Sequence, residues 1–215
     1  MTFAGFGDEA VEFYEQLTAD NSRSFWDQHR QTYLDVVRQP MTELLLALEP
    51  EFGPGHVYRP HRDVRFSKDK SPVKDHQGGF VARPDGTGCY VQISAKGLMV
   101  AGGLHDPGPD QLAHYRKAVD DARTGRRLDR LVDALDAAGF VFGSDPLKTQ
   151  PRGYPADHPR IELLRFRRMV AWRELGAPDW LATPRAADEV RAAWRAMQPL
   201  NDWIARNVGA AAPRG

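Results

Sequence analysis

The segment from Arg59 to His76 carries the densest set of side chains able to bind a ligand. It contains six basic and three acidic residues, an excess of three positive charges, although the 29 basic and 29 acidic residues of the whole chain cancel. The basic residues are Arg59, Arg62, Arg65, Lys68, Lys70 and Lys74, and the acidic residues are Asp63, Asp69 and Asp75. Arginine offers a fork of donors, and lysine a point charge, to phosphate or carboxylate groups. The composition of this segment therefore predicts an anion site.

The order of residues within the segment predicts one inward-facing arginine. In an extended strand alternate residues share a face, so Arg62 would lie on the same side as Val64 and Phe66. Because that side is apolar, it is expected to be buried and to carry Arg62 inward, where a guanidinium needs an acidic or anionic partner. The alternative is a solvated loop whose acids and bases neutralise each other in surface pairs, each contributing about 0–1 kcal/mol.

The candidate ligand-binding site combines this segment with one face of the second predicted helix. Trp26, Arg30 and Tyr33 lie at helical spacing, so they share a side of that helix and would form an aromatic wall beside the cationic segment. Asp63 would orient the arginines or act as a base. The candidate ligand-binding residues are Arg30, Arg62, Asp63, Arg65, Lys68, Lys70 and Lys74. The sequence identifies no catalytic residue.

Two classes of function remain open for these residues. The first, which we favour, is binding of a small anionic molecule such as a phosphate or a carboxylate, with or without catalysis. The second is a non-catalytic interaction domain that binds an acidic protein or nucleic acid through the same basic segment. The first class predicts a concave site in which Arg62 and Arg65 converge, whereas the second predicts a flat, exposed patch.

Several familiar chemistries find no support in the sequence. There is no glycine-rich phosphate loop and no His-Glu-x-x-His or Cys-x-x-Cys spacing, so the motifs indicate no metal site and leave any cofactor unidentified. The single cysteine, Cys89, lies in a predicted strand and is expected to be a buried, inert thiol. A second basic cluster spans Arg165–Arg173. Its aromatic neighbours are typical of a core with a solvated arginine face, which makes nucleic acid the less favoured partner.

Length and composition predict one folded domain. The chain has 215 residues, of which 41% are apolar, and this suits a single sizeable core. We expect a single α+β domain over residues 1–209 and a disordered tail over residues 210–215. The first residues lack a signal-peptide pattern, and no run approaches the roughly 18 apolar residues of a membrane span. We therefore expect a soluble, cytoplasmic protein that does not bind membranes.

Hydrophobic periodicity predicts helices at both ends of the chain and a sheet between them. Buried helical faces are expected in the first quarter of the chain, where Pro40 should kink or divide a helix, and again from Val190 to Ile204. A hairpin is expected from Phe80–Arg83 and Cys89–Ser94, and Tyr58–Phe66 would add a strand. This pattern predicts the α+β class, with a mainly antiparallel central sheet flanked by N-terminal and C-terminal helices.

The charged segment is also part of a longer pattern of motifs. The run Arg62-Asp63-Val64-Arg65-Phe66-Ser67-Lys68-Asp69-Lys70-Ser71-Pro72, followed by Lys74, resembles the signature of the bacterial and fungal family called domain of unknown function 2461. Further motifs that resemble this family are the series Asn21, Trp26, Arg30 and Tyr33, the run Tyr90–Ser94, and the pairs Gly153-Tyr154 and Asp157-His158. One departure is Val73, where the family commonly has tyrosine. The resemblance implies a single α+β domain and transfers no activity.

Overall fold

A computed structural model describes residues 2–63 and 70–210 of the protein. The α+β class predicted from the sequence is confirmed, because helices accompany a six-stranded antiparallel sheet. The helices are α1 (Asp8–Ala19), α2 (Arg23–Thr32), α3 (Gln39–Phe52), α4 (Pro109–Asp120), α5 (Ala122–Ala137), α6 (Ile161–Arg165) and α7 (Arg185–Asn207). The strands are β1 (Gly55–Val57), β2 (His76–Ala82), β3 (Gly88–Ser94), β4 (Gly97–Leu104), β5 (Val141–Ser144) and β6 (Arg168–Gly176). Among the helices of the described residues, none combines the length and apolar character needed to cross a membrane.

The strands are hydrogen-bonded in the order β1-β2-β3-β4-β6-β5. β2 and β3 form the hairpin that the sequence predicts, and the turn between them contains Gly86 at φ 85°, a left-handed conformation that suits glycine. At one edge β1 pairs with β2, and at the other β5 pairs with β6, in both cases antiparallel. Short turns between β2, β3 and β4 are sufficient for this arrangement because antiparallel neighbours need no long crossover.

The described residues pack into two compact units that are interleaved along the chain. The first unit draws its residues from Met1–Val81, Tyr90–Val100 and Glu174–Ala193. The second unit draws its residues from Ala82–Cys89, Ala101–Arg173 and Trp194–Gly215. The expected single domain over residues 1–209 stays a prediction, as does the tail over residues 210–215, of which only Ala210 is described.

The N-terminal helices of the first unit bury the faces that their periodicity predicts. Phe13, Tyr14 and Leu17 of α1 are all buried. The chain is π-helical over Tyr33–Arg38 and becomes α-helical immediately before Pro40, which lies in the first turn of α3. Proline is tolerated there because the first turn of an α-helix has no use for its missing N–H group. The predicted break at Pro40 is thus a change of helix type.

The second unit is packed around the C-terminal half of α7. Trp194, Met197 and Ile204 are buried at the spacing that the sequence indicates. The indole N–H of Trp203 donates to the carbonyl oxygen of Thr124 in α5, at 3.1 Å. These large side chains supply much of the apolar burial that stabilises this unit.

The strand predicted over Tyr58–Phe66 is wrong in its described part. Of residues 58–63, only His61 makes a bridge, which pairs it with Val73. Pro60 has no amide hydrogen to donate to a regular ladder, which interrupts the strand at this point. The remainder of the predicted strand lies outside the described residues.

Candidate functional site

The two described ends of the charged segment run antiparallel beside each other. On either side of the His61–Val73 bridge, the Arg62 N–H donates to the Pro72 carbonyl and the Lys74 N–H donates to the Pro60 carbonyl, each at 2.9 Å. We call this backbone pairing of residues 60–62 with residues 72–74 the ladder. Opposed residues of an antiparallel pair share a face, and alternate residues share a face as well. Arg62 and Lys74 therefore lie on one face of the ladder.

A change of pairing register separates the ladder from the sheet. From the β1–β2 pair His56–Phe80 to the bridge His61–Val73, one side advances five residues and the other seven. The two extra residues lie between Val73 and Phe80, and we call this irregularity the bulge. The bulge precedes the regular part of β2, so it alters the positions of Lys74 and its neighbours.

The buried side chain of Gln77 stabilises the backbone at this bulge. Its Nε2 group donates to the carbonyl oxygens of Tyr58 and Gly78, each at 2.8 Å, and its Oε1 atom accepts a hydrogen bond of 2.5 Å from the hydroxyl of Tyr33. Only 1% of Gln77 is exposed. Because both Nε2 hydrogens and the oxygen have protein partners, Gln77 holds the site's backbone rather than a ligand.

Asn21, just before α2, holds the other side of the ladder. Its Nδ2 group donates to the carbonyl oxygen of Val73 at 2.9 Å, and its Oδ1 atom accepts from the Val73 N–H at 3.2 Å. One side-chain amide thus takes the place of a neighbouring strand, which would make the same two bonds. Val73 itself is 2% exposed. The position where the family signature has tyrosine is therefore a buried apolar anchor in this chain.

Trp26 and Tyr33 form an aromatic wall against the ladder. Their ring centres are 5.0 Å apart, and the ring of His61 meets Trp26 edge-on at 5.2 Å. Arg30 lies on the same helix as Trp26 but is exposed, and its side chain makes no hydrogen bond or ion pair with the residues that the structure describes. The wall therefore contacts the segment at His61, and Arg30 takes no part in that contact.

Lys74 has the most unusual environment of the described cations. Its ammonium lies 5.3 Å from the ring centre of Tyr58, in a cation–π contact, and within residues 2–63 and 70–210 it meets no carboxylate. Burial lowers the pKa of Lys74, and the guanidinium groups of Arg59 and Arg62 lower it further. Three cations therefore share one small region, and no acid among the described residues pairs directly with Lys74.

Asp75 supplies negative charge to Arg62. Its Oδ1 atom is 3.7 Å from Nη2 of Arg62 and 2.8 Å from Nδ1 of His76. The Asp75 side chain is 66% exposed, so solvent screens these contacts, and such a pair contributes about 0–1 kcal/mol. Asp75 is therefore shared between Arg62 and His76.

Two of the predicted site residues, Arg62 and Lys74, are brought together by the ladder. Two further residues lie near Lys74. The guanidinium of Arg59 is close enough to lower the pKa of Lys74, and the ring of Tyr58 contacts the Lys74 ammonium. Arg59 is visible in the sequence as one of the six basic residues, but its proximity to Lys74 depends on the register change, which spacing does not reveal.

The remaining predicted residues are not gathered at this point by the described structure. Asp63 and Lys70 are exposed at the two borders of the segment's described parts, and Arg30 is exposed on α2. Arg65 and Lys68 lie outside the described residues, so their part in a site stays a prediction.

An open groove of about 340 Å³ lies beside Asp75 in the first unit. Its titratable lining residues are Asp75, His76, Lys96 and Glu174, and hydroxyl and amide groups are contributed by Thr18, Ser94 and Gln92. The lining mixes both signs of charge with neutral hydrogen-bonding groups. The groove therefore suits the uncharged polar part of a small molecule better than it suits an anionic group.

The tyrosine hydroxyls around the segment are protonated at neutral pH. Burial raises the pKa of Tyr14, Tyr33, Tyr58 and Tyr90, and the nearby carboxylate of Asp75 contributes at Tyr14 and Tyr90. A phenol with a raised pKa donates a hydrogen bond but is a poor general base. These side chains can therefore shape and line a site without accepting a proton.

The described residues supply neither an ionised thiol nor a cluster of metal ligands. Cys89 is 3% exposed, and burial raises the pKa of its thiol to about 12, so the sulfur stays protonated. Within residues 2–63 and 70–210, the histidine, cysteine, aspartate and glutamate side chains form no group of three or more that could hold a metal ion.

The second basic cluster, Arg165–Arg173, makes structural contacts within the second unit. Arg165 donates to the carbonyl oxygen of Leu147 at 2.7 Å, and Arg167 donates to the carboxylate of Asp145 at 2.5 Å. Guanidinium groups held in this way stabilise neighbouring loops. Arg165 and Arg167 therefore both have protein partners within this unit.

A family model matches most of the chain. The model of a family described as conserved hypothetical protein (DUF2461) matches residues 9–203, which include the ladder, the aromatic wall and most of α7. No curated protein matched the chain. The family description carries no activity.

Proposed function

Because the chain belongs to the DUF2461 family, as its motifs predict, and that family's description names no activity, we propose a function from the site itself. The protein binds a small anion, a phosphate or a carboxylate, through Arg59, Arg62 and Lys74. The arginines supply forked donors and the lysine supplies a point charge, which is the combination that such anions favour.

The environment of Lys74 is the observation that carries this proposal. A partly buried ammonium beside two guanidinium groups is unfavourable because like charges repel and burial removes solvation. A bound anion would replace that repulsion by attraction. Hydrogen bonds between charged groups contribute about 1.5–3 kcal/mol each, which is enough for two or three of them to hold a small anion.

The ladder supports the proposal because it fixes the backbone positions that carry the Arg62 and Lys74 side chains. Backbone hydrogen bonds tie residues 60–62 to residues 72–74, and Asn21 and Gln77 hold the chain on either side. A preorganised site binds more tightly because less conformational entropy is lost when the ligand arrives. The cation–π contact with Tyr58 restrains the end of the Lys74 side chain in the same way.

The groove beside Asp75 favours a small molecule over a macromolecular partner. A ligand held at Arg62 by its anionic group would have a polar cavity of about 340 Å³ beside Asp75, the residue that contacts Arg62. The alternative function is an interaction surface for an acidic protein or nucleic acid, which would use the same cations without needing the groove. A cytoplasmic location is part of our proposal and is supported by the single cysteine, which excludes an internal disulfide.

We expect Arg59→Gln to raise the Kd for inorganic phosphate about tenfold, because it removes one charge-assisted contact of about 1.5 kcal/mol. The measurement is isothermal calorimetry at low ionic strength. Arg152→Gln is the matched control, since Arg152 is an exposed arginine of the second unit.

Equal affinities in the wild type, Arg59→Gln and Arg152→Gln would contradict the site, and so would a wild-type protein that does not bind phosphate. A single-stranded oligonucleotide titrated in parallel tests the alternative. Tight oligonucleotide binding with a steep salt dependence, combined with no phosphate binding, would favour the interaction domain.

A further inference from the structure

We infer that Lys74 is a reactive amine, which forms a reversible imine with small aldehydes or ketones that carry a phosphate or carboxylate group. This inference rests on the proposed anion site and names the class of ligand that the site would take. The ligand's anionic group would lie against Arg59 and Arg62, and its carbonyl carbon would meet the nitrogen of Lys74.

The position of Lys74 distinguishes it from the other described lysines. Lys70, Lys96, Lys117 and Lys148 are exposed, whereas Lys74 is partly buried with its nitrogen over the ring of Tyr58. A lysine of this kind, desolvated and close to other cations, is the type that acts as a nucleophile in proteins. The two backbone hydrogen bonds and the Asn21 contact fix the main chain at this point, so the Lys74 side chain extends from a fixed backbone position.

Burial and two neighbouring guanidinium groups favour the neutral, nucleophilic form of this amine, whereas the contact with the Tyr58 ring favours the ammonium. Burial and the guanidinium groups of Arg59 and Arg62 all lower the pKa of Lys74. No carboxylate among the described residues pairs with the ammonium to oppose this effect. In the protein without a bound anion, protonation of the amine, which prevents attack on a carbonyl, is therefore less favourable here than at an exposed lysine.

The reaction uses only the amine and the carbonyl compound. The lone pair of the neutral Lys74 nitrogen forms a bond to the carbonyl carbon, the C=O π electrons move to the oxygen, and one proton passes from that nitrogen to the oxygen to give a carbinolamine. That hydroxyl leaves as water together with a proton from nitrogen, and a C=N bond forms. The imine nitrogen carries a positive charge when protonated. The ligand's own anionic group attracts this charge, so it stabilises the imine in addition to holding the ligand at the arginines.

The anionic group also explains why the site would select this class of carbonyl compound. An anion held by Arg59 and Arg62 places the attached carbonyl beside Lys74 for as long as it is bound. Reaction within such a complex is favoured over reaction with free lysines because the two partners are already together. A neutral aldehyde gains no such advantage.

Pyridoxal phosphate with borohydride tests the inference directly, because the probe joins an aldehyde to a phosphate and borohydride reduces its imine to a stable secondary amine. Peptide mass spectrometry then locates the label. We expect Lys74 to be labelled at least about tenfold more than Lys96, Lys117 or Lys148, since proximity should outweigh exposure. Inorganic phosphate should suppress the labelling of Lys74, and pyridoxal without its phosphate should show a smaller preference for Lys74 than pyridoxal phosphate does.

Lys74→Arg separates this inference from the proposed function, because arginine keeps the positive charge but forms no imine. We expect this variant to lose the selective label, while calorimetry of the wild type with inorganic phosphate tests the anion site on its own. Uniform labelling of the wild type in proportion to exposure, while phosphate still binds, would overturn the reactive lysine and leave the anion site standing. A wild type that binds no phosphate would overturn the proposed function itself.

Discussion

Replacing Lys74 with glutamate is expected to weaken phosphate binding at least about 100-fold. The change removes one charge-assisted contact, and it places a carboxylate beside Arg59 and Arg62, where it would neutralise them internally. Each effect is of the order of 1.5 kcal/mol or more, and 1.4 kcal/mol corresponds to a factor of ten in affinity. Isothermal calorimetry with inorganic phosphate at low ionic strength measures the loss.

Lys148→Glu is the matched control for this charge reversal. Lys148 is exposed in the second unit, so its replacement should change the affinity for phosphate by less than about twofold. Lys74→Glu should keep the thermal unfolding temperature of the wild type or raise it, because the new carboxylate relieves the repulsion between the cations. Unchanged phosphate binding by a folded Lys74→Glu protein would show that the anion binds elsewhere.

Replacing Asn21 with alanine is expected to destabilise the protein by about 2–4 kcal/mol and to weaken phosphate binding as well. The amide of Asn21 satisfies both the N–H and the carbonyl oxygen of Val73, a residue that is only 2% exposed. Each buried group left without a partner costs about 1–3 kcal/mol. Urea denaturation followed by intrinsic fluorescence measures the stability, and calorimetry measures the binding.

Loss of binding should accompany loss of stability in this variant, since Val73 immediately precedes Lys74 in the ladder. Gln28→Ala is the control, because Gln28 is an exposed amide on α2 whose contact with Ser24 is long, at 3.5 Å. We expect that control to stay within about 0.5 kcal/mol of the wild type. A stability loss of similarly small size in Asn21→Ala would mean that Asn21 does not hold the ladder.

The helical faces and the central hairpin could be predicted from the sequence because they depend on local patterns. Phe13, Tyr14 and Leu17 repeat at helical spacing, and such repeats bury one face wherever the helix packs. The β2–β3 hairpin was likewise signalled by a turn containing Gly86 between two apolar runs. In each case the residues that decide the structure are neighbours in the chain.

The geometry of the site could not be predicted, because it depends on contacts between distant residues. Asn21 and Val73 are 52 positions apart, and Tyr33 and Gln77 are 44 apart. The two-residue register change is fixed by such contacts, and it decides that Arg59 lies near Lys74. Alternation alone predicted a continuous strand through Tyr58–Phe66, which Pro60 and the bulge prevent in the described part.

The pKa of Lys74, measured with and without phosphate, tests the central claim most directly. The ¹³Cε resonance of Lys74 reports its pKa in a titration by NMR. Burial, Arg59 and Arg62 disfavour the ammonium, so the pKa of Lys74 should lie below the ordinary value of a lysine side chain. A bound anion favours the ammonium, so phosphate should raise the pKa of Lys74. A pKa of Lys74 at the ordinary lysine value and unmoved by phosphate would contradict the anion site.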